Sequence, residues 1–428
     1  MRRILASETL TVVVLVVLFA GDFFRNLLTV PGWVTLALAC AAWAIAALVM
    51  GHVSWRTLPV TLLLTLAWIA ISPLWSPYAL TSAALTVGFF FTVCIGLALA
   101  SLVSFEQLVN LVATALRLVL GASVVFEIAV AVGGKPLYPV GMSAPPGTSI
   151  ELAWSRGLFF VEGGRIQGIV GNANLLGMLV LFFLLITLVR LATGQRTLLT
   201  GGDAVLALVL LYKTASTTVF LAAIAVAGVW TFAWLARRPQ RAARVAIGAL
   251  LASAIGAIAY AVTHWTSVAA TLGKSPDMTN RFGIWEAVLE RINVRPITGF
   301  GFVGWWPTWE GWFGLHAIRN IRVQQAHNAW LDLAMQVGFV GVALFAAVLL
   351  STCWMLWRRV AVSSDSTALI AVAFMTAMTV QTLTESRILS EWGIAFLVIL
   401  AITARRGSLV SSREEDPTTY PLDSGKTV

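Results

Sequence analysis

Along the chain the hydrophobic positions neither alternate nor mark out single amphipathic stripes. They come in long unbroken runs separated by short polar stretches. A helix needs about 20 mostly apolar residues to cross a bilayer. By that measure the runs predict about twelve spans, near 8–24, 31–50, 57–74, 82–103, 107–132, 170–190, 202–214, 217–236, 244–265, 332–356, 367–385 and 390–404. The run at 202–214 is short for a full crossing; it reads as a tilted span or as one arm of a broken hairpin with 217–236. Two connections are long, roughly 133–169 and 266–331, and long connections are where function tends to sit. No internal repeat recurs at a regular period.

Composition decides the solvent. Hydrophobic residues make up 59% and charged residues 11%, against roughly 45–50% and 25% in soluble proteins. Mean hydropathy is +0.88. Too little polar surface is left to coat a water-soluble particle. The expected fold is an all-α, polytopic membrane domain over residues 1–406, with 407–428 as a disordered cytoplasmic tail. The opening Met1-Arg2-Arg3 and apolar run imitate a signal peptide, but further spans follow and no cleavage site is evident, so it reads as a retained first helix.

Charge gives the orientation. With a cytoplasmic N-terminus, the inner segments collect Arg2, Arg3, Arg56, Arg190, Arg196, Arg237, Arg238, Arg241, Arg244, Arg358, Arg359, Arg405 and Arg406, and the short outer turns carry chiefly Arg25, Lys213 and Arg387. That is the positive-inside pattern, with both termini cytoplasmic and both long connections outside. The net charge of +9 therefore points to topology, not to a nucleic-acid partner. Cys40, Cys94 and Cys353 all lie within apolar runs, which excludes a disulfide framework, and no Cys/His spacing suggests a metal or cofactor.

The candidate chemistry clusters at the outer ends of helices. In VEGGRIQGIVGNANLLG, Arg165 precedes a span whose start carries Asn172 and Asn174; backbone N–H groups at a helix N-terminus with an arginine make an anion site. In the second loop, apolar positions 282, 285, 288, 289 and 292 follow Arg281 at helical spacing, predicting an amphipathic helix along the membrane surface, capped by Thr279 or Asn280 and closed by Pro296. Gly299, Gly301 and Gly304 match GxGxxG, but no strand–helix–strand unit surrounds them, which excludes a dinucleotide site. Trp305, Trp306, Trp309 and Trp312 read as an interfacial belt or as a wall for sugar rings or a lipid chain. His327 stands where AHNAWLDLAMQVGFVG turns from loop to helix. There the positive helix end disfavours imidazolium, and Asn328 is placed to orient the ring or a substrate. Glu385 and Arg387, in TESRILSE, end the eleventh span and are expected to join the same site. Arg117 and Glu127 occupy the fifth span and count as functional candidates because buried charge is costly. No Ser/His/Asp triad, Walker motif or DxD-type pair can be assembled, so the suggested chemistry is metal-free: arginines hold a phosphate and a histidine takes a proton from a hydroxyl.

The segments RIQGIVGNANLLG, TNRFGIW…PITGFGFVGWW, AHNAWLDLAMQVGFVG and TESRILSEWGIAF, in this order, resemble the O-antigen ligase and polymerase superfamily of bacterial envelope glycan enzymes. The resemblance covers about residues 160–404. It implies transfer of a glycan from a polyprenyl-pyrophosphate carrier to a hydroxyl-bearing lipid or glycan acceptor, on the outer face of the bacterial inner membrane, with inversion and without a metal. Arg165 and Arg281 match the arginines that bind pyrophosphate, and His327 matches the histidine that activates the acceptor. Family members often carry Ser-Arg after the seventh span. Here KTASTTVF has no arginine, leaving Lys213 as a substitute without arginine's fork. A polymerase extending its own lipid-linked chain is the close alternative. A transporter or flippase would instead place charge at the midplane of several helices, and a scaffold of an envelope complex is a third class.

Overall fold

The computed structural model describes residues 5, 7–51, 57–142, 148–238, scattered positions between 241 and 267, 281–315, 317–318, 321–362 and 365–414. Apart from one two-residue antiparallel pair, Ala317–Ile318 with Ile321–Arg322, the regular structure among these residues is helical. The helices are α1 (Glu8–Phe19), α2 (Gly21–Met50), α3 (Val60–Ile71), α4 (Ala79–Leu102), α5 (Phe105–Gly133), α6 (Ala173–Ala192), α7 (Leu198–Thr214), α8 (Thr217–Ala236), α9 (Arg281–Val294), α10 (Gly311–Leu315), α11 (Ala329–Val362), α12 (Ser366–Gln381) and α13 (Glu391–Glu414).

Six of these, α2, α4, α5, α6, α8 and α11, are long and apolar enough to cross a membrane, and α1, α3 and α12 are shorter apolar helices. The expected ninth span at 244–265 lies largely outside the described residues, as do Thr279, Asn280 and the tail from 415; α13 itself continues to Glu414. Among the described residues the apolar runs coincide with helices, but six rather than the expected twelve are long and apolar enough to cross a membrane, and some boundaries differ. The second run was expected to begin at 31, whereas α2 starts at Gly21. Asp22, Arg25 and Asn26 hide this first stretch from a hydropathy reading. A break follows at Thr29 (φ 61°), just before Pro31, which has no N–H to give the helix.

Helices buried on every side mark the centre of the bundle. α6 is covered from Leu175 to Thr187, and α13 from Ile394 to Thr403. A soluble protein would not tolerate a helix that is apolar all round unless it lay in the core. Phe182 of α6 stacks on Phe374 of α12, with ring centroids 4.4 Å apart. α4 lies against α13 at Gly96, where a Cβ would come within 2.7 Å of the Ala395 carbonyl oxygen. Small residues at such crossings let membrane helices approach closely. On the outside, Val60, Leu80 and Leu198 are strongly exposed, the surface that lipid tails would cover.

The bundle has two chemically distinct ends. At one, Arg237 Nε donates to the Val360 carbonyl (3.0 Å), near the C-terminus of α11, and Arg406 donates to Ala100 O (2.6 Å), near the end of α4. These carbonyls are the ones a helix leaves unsatisfied. At the other end, α11 begins beside His327, about 50 Å away at 1.5 Å per residue.

The segment between α9 and α11 is built into the bundle. α11 breaks at Gly338 (φ 68°), and Phe339 N donates to Pro296 O (2.8 Å) across the break. Phe300 N and Gly301 N donate to Met335 O and Gln336 O (3.0 and 2.8 Å). A Cβ on Gly338 would sit 2.0 Å from Ile297 O, so only glycine permits this crossing. The glycine-rich stretch packs against α11 in the same way, since a Cβ on Gly299 would lie 2.5 Å from the Gln336 carbonyl carbon. α9 forms as expected but buries Ile284, Val288 and Ile292 against Trp306, Phe313 and Met335, while Phe282 and Leu289 stay exposed. Its Arg291 does not snorkel freely. Its guanidinium lies 3.9 Å from the Phe300 ring centroid and 4.7 Å from that of Trp312.

The two ionisable residues expected inside the fifth span are both engaged. Arg117 forms a two-pronged pair with Asp203 of α7, Nε–Oδ1 2.7 Å and Nη2–Oδ2 2.6 Å. Glu127 accepts Gln167 N and Gly168 N on Oε1 (2.8 and 2.7 Å) and Ser155 Oγ on Oε2 (2.8 Å). It thereby fastens two distant parts of the loop between α5 and α6.

Candidate functional site

Two helix starts and one helix end meet at the pole opposite the arginine clusters. α6 starts at Asn172, whose Oδ1 accepts Asn174 N and Leu175 N (2.8 and 3.2 Å). α11 starts at Asn328, whose Oδ1 accepts Trp330 N and Leu331 N (3.0 and 3.2 Å). Asn side chains are favoured here because they satisfy orphan N–H groups of the first turn. The segment after α12 carries Glu385 between them.

Glu385 is the junction. Its side chain is 2% exposed. Oε1 accepts Asn174 Nδ2 (2.8 Å) and Arg281 Nη2 (3.2 Å), while Oε2 meets His327 Nδ1 (3.0 Å) and Gln325 Nε2 (3.3 Å). Asn174 Oδ1 in turn accepts Arg165 Nη2 and Ser216 Oγ, and Arg165 Nε donates to Thr214 O at the end of α7 (2.8 Å). Burial alone would raise the Glu385 carboxyl, but His327, Arg281 and Asn174 outweigh it and hold the carboxyl at about 2. Glu385 is therefore ionised at neutral pH and has no proton to donate. Facing an ionised carboxylate, the imidazole donates from Nδ1, and in its neutral form the acceptor nitrogen is then Nε2.

His327 adopts φ 51°, the left-handed region, immediately before its helix. Non-glycine residues are uncommon there and persist where the surroundings force them. Those surroundings centre on Asp332, fully buried one turn into α11, which accepts Ala326 N (3.0 Å), Trp306 Nε1 (2.7 Å) and Ser386 Oγ. Asp332 thus ties the residue before His327 to the residue after Glu385. Trp306 is structural, whereas Trp309 and Trp305 remain exposed.

The structure brings together Arg165, Arg281, Asn174, Glu385 and His327. Asn172 and Asn328 sit beside them as caps, and Asn328 Nδ2 also donates to Leu383 O (3.3 Å). Lys213 points away toward Val161 O (3.4 Å) and the Phe159 ring. Arg387 pairs with Asp22 (3.1 Å) and Glu391, joining the start of α13 to α2. Sequence reasoning missed Gln325 and Arg156. Burial lowers Arg165 from the usual arginine range, Arg156 and Arg281 act in the same sense, and Glu385 opposes them. Nothing in SRG at 155–157 signals this, since the proximity comes from Glu127 drawing the loop together. Among the described residues, no three His, Cys, Asp or Glu side chains gather as a metal would require.

Residues 204–346 match the family model described as O-antigen ligase, a stretch that contains Arg281 and His327 but not Arg165 or Glu385. No curated protein matches the chain. The match spans about a third of the chain, and over that stretch the protein is similar to the O-antigen ligase family.

Proposed function

We propose that this protein transfers a glycan from a polyprenyl-pyrophosphate carrier to an acceptor hydroxyl, as a ligase. The observation that carries the reading is the Glu385 junction, which holds Arg281 and His327 within hydrogen-bonding reach of one carboxylate. Arg165 and Arg281 take the donor's pyrophosphate. His327 Nε2 removes the acceptor's hydroxyl proton as its oxygen attacks the anomeric carbon. The anomeric carbon–oxygen bond then breaks, and its electron pair leaves with the lipid pyrophosphate, whose charge the arginines meet. Attack opposite the leaving group inverts the anomeric centre, and no metal is needed. Glu385 positions the imidazole. The chain crosses the bacterial inner membrane about twelve times, with both termini cytoplasmic and the Glu385 end of the bundle outside.

The test is transfer by purified full-length protein from a lipid-linked donor, with and without a separate acceptor, in the presence of a chelator. Product on the acceptor with chelator present supports the ligase; chain growth on the donor alone supports a polymerase. Arg281→Lys should lose most of the activity while folding normally, because a point charge does not replace a bidentate fork on phosphate. Wild-type turnover in Arg281→Lys would reduce Arg281 to an anchor.

A further inference from the structure

The Ser155–Gly157 turn is pinned from several sides. Ser155 pairs its backbone with Leu137 (2.9 and 3.1 Å), and its Oγ donates to Glu127 while accepting Gly157 N (3.2 Å). Gly157 adopts φ 68°, and a Cβ there would lie 3.3 Å from Val130 O. Arg156 therefore has a fixed backbone. Its side chain is half-buried, yet its Nε is buried without any hydrogen-bond partner. Glu127, the carboxylate that holds the turn, is already occupied by Ser155, Gln167 and Gly168. The same carboxylate brings residue 155 against 167 and 168, two residues beyond Arg165. The lowering of Arg165 by Arg156 reports the same proximity.

A guanidinium carried on a fixed turn, buried at Nε and without a hydrogen-bond partner is unfavourable unless an anion completes it. Lys213 is turned toward Val161 O and Phe159. We infer that Arg156 is a third anion-binding residue of this site, contacting one phosphate of a pyrophosphate group through a guanidinium that the protein leaves unpaired. The inference rests on the proposed donor, and it adds a residue from the loop between α5 and α6 that clamps the leaving group together with Arg165 and Arg281.

The experiment uses full-length protein in phosphatidylcholine nanodiscs, titrated with farnesyl pyrophosphate and, separately, farnesyl monophosphate. Wild-type protein should prefer the pyrophosphate. Arg156→Gln should weaken pyrophosphate binding about tenfold or more, the loss of one charge-assisted contact, and bring it close to the monophosphate. Its melting temperature without ligand should be equal to or above wild type, because an unpaired charge has been removed, while the ligand-induced rise in melting temperature shrinks. A purely structural Arg156 predicts the reverse: a lower melting temperature and unchanged pyrophosphate affinity. Unchanged affinity in Arg156→Gln, with wild type still binding, overturns the Arg156 assignment alone. Absence of pyrophosphate binding by wild type overturns the donor reading as well. A further arm adds phosphatidylglycerol to the nanodiscs. If Arg156→Gln differs from wild type only there, the site serves a lipid headgroup and the inference fails.

Discussion

At the scale of single residues, the account turns on the carboxylate between His327 and Arg281. Glu385→Gln keeps the shape but removes the charge that fixes the imidazole tautomer, so transfer should fall about 10²-fold or more, by analogy with other carboxylate-oriented histidines. Donor binding should change much less. Loss of donor affinity without loss of turnover would instead make Glu385 a partner of Arg281 only. Because the folded-state value of Glu385 is depressed to about 2, its contribution to stability is fully present above the ordinary carboxylate value and is lost as pH falls from there toward 2. Melting curves should show wild type more stable than Glu385→Gln near neutrality, with the gap closing only in that acid window. A gap that closes between pH 5 and 7 contradicts the assignment. The polar segments that hold His327, Arg165 and Arg281 were legible in the sequence because each adjoins an apolar or helical run. Arg156 was not, since its role depends on Glu127 bonding to residues 155, 167 and 168 at once. Nor did the sequence separate Arg387 from Glu385, two residues apart, although one faces Asp22 and the other His327.

At the scale of elements, hydropathy located the helices because lipid imposes a length and an apolar surface on each span. It misjudged the surroundings of the long connections, which depend on packing. The face expected for α9 was 282, 285, 288, 289 and 292, but the buried face is 284, 288 and 292, an equally helical spacing turned toward Trp306 and Phe313. The charges inside the fifth span also find their explanation here. Arg117 and Asp203 pair α5 with α7, and Asp203 is 4% exposed. Removing one partner of a buried pair costs about 3–5 kcal/mol, while replacing both with apolar residues is often neutral. Asp203→Leu should therefore lower the melting temperature sharply, and Arg117→Leu combined with it should recover much of the loss and retain transfer. If the stable double variant loses transfer, Arg117 acts in the chemistry and the structural reading falls.

At the scale of the whole molecule, the His327 end and the Arg237–Arg406 end stand at opposite poles of the bundle, which joins the positive-inside pattern to the site. In a cysteine-free background, Glu162→Cys should react with an impermeant maleimide in intact cells, and Arg196→Cys only after permeabilisation. The opposite result would invert the topology and move the site to the cytoplasm. A transporter would place charges at the midplane of several helices, whereas Arg117 pairs α5 with α7 and Glu127 holds the loop between α5 and α6. The claim that unites these scales is that His327 Nε2 is the base of a glycan transfer. General-base catalysis contributes roughly 10²–10⁴-fold. The decisive measurement is single-turnover transfer from a lipid-linked donor by purified wild type and His327→Ala, with donor affinity measured alongside. With His327 as the base, the loss is of that size and donor affinity is nearly unchanged; full transfer by His327→Ala contradicts that role.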